Sequence, residues 1–151
     1  MKILITILIL FFSSFNILAG DVQLKPFSQA PLIDWFNGKI DTEGRKFYPF
    51  IRCSALILEY AVATEEVFEK VLDFRIAQAA DLFNFALDIQ SIKYPKTEID
   101  ELRTILLHSL EDIRRYYKED MVENRKINND YFHNSYMAND IEICFKLAED
   151  M

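Results

Sequence analysis

The chain has 151 residues, 24 Asp and Glu against 17 Lys and Arg, and a formal net charge of −7. A surplus of acid repels nucleic acid and anionic membranes, both of which are bound through Lys and Arg footprints. The length suits one domain with a substantial core, and 13 Phe and 7 Tyr supply enough apolar area to exclude a disordered chain.

Residues 1–19 read as a secretory signal. Met1-Lys2 is a short basic start, Ile3 to Leu18 is uncharged and almost wholly apolar, and Ala19-Gly20 offers small residues for cleavage before Asp21. The competing reading is an uncleaved membrane anchor. Ile3 to Leu18 falls short of the roughly 20 residues a spanning helix prefers, and Ser13, Ser14 and Asn16 weaken its second half. Gly20 and not a cysteine directly follows the cut, so no lipid attachment of the bacterial lipoprotein kind is offered. The expectation is a periplasmic or secreted protein with no stable membrane span after cleavage. The alternative is attachment to a membrane through the uncleaved segment.

Glycine placement sets the fold class. Gly20, Gly38 and Gly44 are the three glycines, and none follows residue 44. Sandwiches and doubly wound folds need positive-φ corners, and phosphate-cradling loops need close backbone approach; both depend on glycine. The chain is therefore expected to be all-α: a small bundle of about four helices containing a long antiparallel hairpin.

Residues 20–48 read as an N-terminal arm and loop. Within them Pro31 to Phe36 suits a turn or two of helix with Pro at an early position, ended by Asn37-Gly38. Residues 49–151 read as the helical domain. Its first helix spans about 49–63, with Phe50, Cys53, Leu56, Ile57 and Tyr60 on one face. Thr64 before Glu65-Glu66 reads as the cap of a second helix, which runs to Lys93 and buries Phe68, Val71, Leu72, Ile76, Ala79, Leu82, Phe83, Ala86 and Ile89. Tyr94-Pro95 stops it.

Thr97 is the expected cap of the third helix, with Glu98, Asp100 and Glu101 in its first turn. Its buried stripe is Ile99, Leu102, Ile105, Leu106, Leu110, Ile113 and Tyr117. Glu111, Arg115 and Glu119 stand four apart and are expected to pair. This helix fades near Arg125-Lys126, before Asn128-Asn129. At 1.5 Å per residue the second and third helices are each roughly 40–45 Å long, and their short connection implies antiparallel packing. A last helix spans about 135–150, with Asn134 as its cap.

An oxidising compartment makes a cysteine pair a disulfide by default. Cys53 shares its face with Phe50, Leu56 and Ile57, and Cys144 shares its face with Ile141, Leu147 and Ala148. Both apolar faces point to the core, so a Cys53–Cys144 bridge is expected. It would close a loop of about 90 residues, worth roughly 4–5 kcal/mol in the chain-entropy description. Two buried free thiols are the competing arrangement.

Motifs for chemistry are sparse. His108 lies one turn before Glu111 and Asp112, a set a metal could use, but acids on a solvated helix face explain the same spacing. Di-iron bundles place Glu three residues before His; here Ile105 precedes His108 and Asp130 precedes His133. No nucleophile with a paired base can be assembled. No catalytic residue, cofactor or metal is therefore assigned. Arg114 to Lys118 forms a basic-aromatic patch, but Glu111, Asp112, Glu119 and Asp120 enclose it, against nucleic-acid stacking.

Two binding features remain. Trp35 and Phe36 stand outside the long helices, either as a staple closing the bundle end or as a contact for a protein partner. Phe83, Phe85, Tyr116, Tyr117, Tyr131, Phe132 and Tyr136 could line an interhelical cleft for a small apolar ligand, or simply fill the core. The leading expectation is a non-catalytic interaction or accessory domain. A binder of a small apolar ligand comes second, and an enzyme or metal-binding bundle third.

Overall fold

A computed structural model describes residues 31–37, 46–64, 69–133 and 135–151. The signal segment, most of the arm and Glu65 to Phe68 lie outside them, as does Asn134. Five helices follow in order: α1 (Leu32–Phe36), α2 (Tyr48–Thr64), α3 (Glu69–Lys93), α4 (Ile99–Asn128) and α5 (Tyr136–Glu149). The protein is an all-α bundle, and every regular element among the described residues is helical.

Helix α2 is the centre of the bundle. It packs on α3, α4 and α5, whereas α3 and α4 meet each other only slightly and α1 rests on α5. The expected hairpin of two long helices is thus not the main contact: α3 and α4 flank α2. Position explains the composition of α2. The stretch Ile51 to Ile57 is continuously buried, so the one-face expectation is corrected to burial nearly all round. Ser54 satisfies its hydroxyl by donating to the Ala79 carbonyl at 2.8 Å, which ties α2 to α3.

Helix α3 keeps its expected stripe only in the second half. Ala79, Leu82, Phe83 and Ala86 are buried, while Val71 and Ile76 are exposed. On α4 the stripe Leu102, Leu106, Leu110, Ile113 and Tyr117 is buried and continues to Met121, but Ile99 is exposed. Glu98 rather than Thr97 is the N-cap, and Asp100 and Glu101 face the positive end of the helix dipole. At the other end Asn129 takes φ 57°, the left-handed conformation that Asn tolerates after a helix, and its N–H reaches the Arg125 carbonyl at 2.9 Å. The expected four-apart pairs of Arg115 give way to a three-apart pair with Asp112 at 2.9 Å.

Thr64 is not a free cap. It closes α2, and its Oγ1 donates to the Tyr60 carbonyl at 2.8 Å. Ser135 is the N-cap position of α5, although its hydroxyl turns back to the Phe132 carbonyl at 2.8 Å. Cys53 and Cys144 come together at disulfide distance, with Cα atoms 5.0 Å apart across 91 residues of sequence. The link joins the central helix to the last.

Candidate functional site

The chemistry-bearing groups fall into a buried polar centre and an open apolar cleft. The centre begins with Arg52, the one charge in the apolar run from Tyr48 to Leu58. Its side chain and that of Asp140 are both 0% exposed. Arg52 Nη2 donates to Asp140 Oδ2 at 2.7 Å, and Arg52 Nε donates to the Tyr117 hydroxyl at 3.0 Å. The other carboxylate oxygen, Asp140 Oδ1, accepts the Leu32 N–H at 2.8 Å. One cluster therefore joins α1, α2, α4 and α5.

Burial dominates the acidities here. It pushes the Asp140 carboxyl up, opposed by the Leu32 N–H and the Arg52 charge. Burial likewise pushes the Tyr117 hydroxyl up, with Arg52 opposing it. Tyr117 thus keeps its proton at neutral pH and can accept from Arg52. Nearby, Tyr136 donates to Asp120 Oδ2 at 2.6 Å; burial and that bond push its hydroxyl pKa up too. Arg52, Asp140 and Tyr117 satisfy one another away from solvent, which suits a clasp between helices.

The partly exposed charges are also engaged. Arg114 donates from Nε to Glu59 Oε1 at 2.7 Å and from Nη1 to Glu111 Oε1 at 3.0 Å. With Tyr117 buried and Arg114 and Arg115 holding carboxylates, the basic-aromatic patch of the sequence is dismantled. His108 is exposed on α4, and no group of three or more His, Cys, Asp or Glu converges among the described residues. Asp130 does local work: its Oδ1 accepts the Phe132 and His133 N–H groups at 2.7 and 2.8 Å. Those bonds, the Phe132 one foremost, hold its carboxyl below the usual range.

The cleft opens between the end of α2 and the start of α3. Tyr60, Ala61 and Thr64 face Val71, Leu72 and Arg75 around about 210 Å³. Tyr60 is fixed from behind by rings of Phe132 and Phe145, with centroids at 5.4 and 5.2 Å. The Arg75 guanidinium carbon lies 3.6 Å from the Phe145 ring centre and 5.5 Å from that of Phe74, a cation–π placement. Arg75 Nη1 donates to Gln78 Oε1 at 2.6 Å. Phe74, whose ring lies against Arg75, is 56% exposed.

Trp35 is buried with its ring 4.7 Å from that of Tyr48, the staple arrangement of the two that the sequence leaves open, and Phe36 is exposed. The aromatic set does not share one cleft. Phe85 lies against Phe50, Phe132 against Tyr60, and Tyr117 near Tyr136, while Tyr116 is exposed. Sequence reading passed over Arg52, Asp140 and Arg75. A lone charge inside an apolar helix was the available signal for Arg52. Asp140, one turn before Cys144, was the matching signal on α5.

No family model, curated protein or solved structure matches this chain.

Proposed function

We propose that this protein is a non-catalytic interaction domain whose contact surface is the apolar cleft between α2 and α3. The observation that carries this reading is the exposed Phe74 against Arg75, which with Val71, Leu72 and Ala61 lines the opening. The buried groups Arg52, Asp140 and Tyr117, by contrast, are occupied with one another. Exposed aromatic side chains next to a concave apolar surface are the common anchor of protein contacts.

The working compartment is proposed to be the periplasm or the exterior, reached through residues 1–19. Two observations support it: the cysteines lie at disulfide distance, and no helix among the described residues is long and apolar enough to cross a membrane. Amino-terminal sequencing of the protein from its own cells separates a cut near Ala19 from a retained anchor.

The interaction reading is tested by the size of the native assembly. Wild-type protein from its own compartment should migrate as a complex larger than one chain, and Phe74→Asp should return it to single-chain size with unchanged helical circular dichroism. A wild-type protein running as a lone chain, or a variant that still assembles, contradicts the reading. A small apolar ligand is the second reading, favoured by the cleft itself, and would co-purify in organic extracts of the wild type but not of Val71→Asp.

A further inference from the structure

We infer that the cleft takes the free C-terminus of a polypeptide ending in an apolar residue, with the side chain inside and the carboxylate on Arg75. This rests on the cleft being the contact surface. The arginines differ in their partners. Arg52, Arg103, Arg114 and Arg115 each hold a carboxylate within 3.0 Å. Arg75 holds none among the described residues, in a chain with 24 acids. Arg125 also holds none, but it is exposed in the last turn of α4, where positive charge meets the negative end of the helix dipole. Arg75 has no such compensation.

The donors of Arg75 are only partly used. Nη1 is bonded to Gln78, and Nε is buried without a hydrogen-bond partner. Neighbouring Asp73 is exposed and makes no ion pair with it. The rings of Phe145 and Phe74 lie against the guanidinium, which helps hold it in place, and with Nε buried the Nη2 hydrogens and the second Nη1 hydrogen are the donors left for a carboxylate.

Size selects the apolar part. About 210 Å³ is below the roughly 300 Å³ at which sites for whole drug-sized ligands begin; it accommodates one side chain. A free fatty acid needs a longer enclosed channel. A peptide instead continues outward, and the exposed Phe74 ring against Arg75 offers its preceding residues an apolar surface. One apolar residue joined to one carboxylate at a chain end combines these features.

The test uses the oxidised full-length protein, labelled with nitrogen-15 and titrated with short neutral peptides ending in Leu, Ile, Val or Phe. Each peptide is used with a free and with an amidated C-terminus, and hexanoate is titrated alongside. At least one free-acid peptide should shift the amide resonances of Ala61, Thr64, Val71 and Arg75 saturably. Its amide should bind about tenfold more weakly, about 1.4 kcal/mol. Arg75→Gln should abolish that difference with helicity and the disulfide intact, and Arg75→Lys should restore part of it.

Equal binding of acid and amide overturns the carboxylate assignment while leaving the cleft as a contact surface. Hexanoate binding as tightly as the best peptide overturns the polypeptide source. No saturable shift from any of the peptides overturns the inference outright. Failure of the underlying reading is separate, because it appears as a native assembly that Phe74→Asp leaves unchanged.

Discussion

Arg52 and Asp140 meet at 2.7 Å with both side chains fully buried, and the disulfide-distance pair Cys53–Cys144 joins the same two helices. Cys53 follows Arg52 directly, and Cys144 lies one turn beyond Asp140. Helix α5 is therefore attached to α2 by an ionic link and a covalent one, side by side. The ionic link also reaches Leu32 and so fixes the short first helix.

Removing one partner of a buried pair leaves the other charged and uncompensated, at a cost of about 3–5 kcal/mol. Asp140→Ala should lower stability by that amount in urea unfolding. The double variant Arg52→Met, Asp140→Leu should recover most of the loss, because well-packed apolar residues often replace a buried pair without penalty. Equal instability of the single and double variants would contradict a charge-based origin.

Replacing Cys53 and Cys144 together by Ala should cost about 2–5 kcal/mol. The two links share one interface, so their losses should not add. Combining the cysteine replacement with Asp140→Ala should show a coupling of about 0.5–3 kcal/mol in a double-mutant cycle, measured by chemical unfolding under identical conditions.

Neighbouring leucines on α4 have opposite environments: Leu106 is 1% exposed and Leu107 is 43% exposed. Leu106→Ala should destabilise by about 2–5 kcal/mol through lost burial and a residual cavity. Leu107→Ala should stay within about 0.5 kcal/mol. Thermal or urea unfolding of the two variants checks the difference.

Asp130 supplies the pH-dependent element. Its carboxyl is held below its ordinary value by the Phe132 and His133 N–H groups, with the His133 charge helping. Its contribution is thus present above the unfolded carboxyl value and lost as pH falls through the lower folded one. Acidification below about pH 4, near the ordinary Asp value, should loosen the turn after α4, seen as faster amide exchange at Phe132 and His133 relative to the core. Asp130→Ala should show that looseness already at neutral pH.

How far the sequence could be read depends on which residues had neighbours that periodicity can anticipate. The stripe Leu102, Leu106, Leu110 and Ile113 faces one partner helix, so a simple three-and-four spacing revealed it. Helix α2 is surrounded, and spacing cannot distinguish a helix buried on all sides from one with a single apolar face when Arg52, Ser54 and Glu59 interrupt the pattern. Those residues are buried because partners on other helices meet them: Asp140, the Ala79 carbonyl and Arg114. Such pairings span 25 to 88 positions and leave no local trace.

The cysteine pairing was legible because two apolar helix faces and an even count converge on it. The cleft was not. Val71 has the spacing of a core residue, yet at this end of α3 it stands exposed. Phe74 looked incidental, and the isolation of Arg75 from carboxylates among the described residues is a property of three-dimensional neighbours alone.

The claim that the cleft is the contact surface is tested most directly by site-specific photo-crosslinking in the protein's own compartment. A photoreactive phenylalanine analogue is placed at Phe74 and, as an exposed apolar control on another helix, at Leu107. A discrete cross-linked partner at position 74, in large excess over position 107, is the expected result. Equal yields at the two positions, or no product at 74, would contradict it.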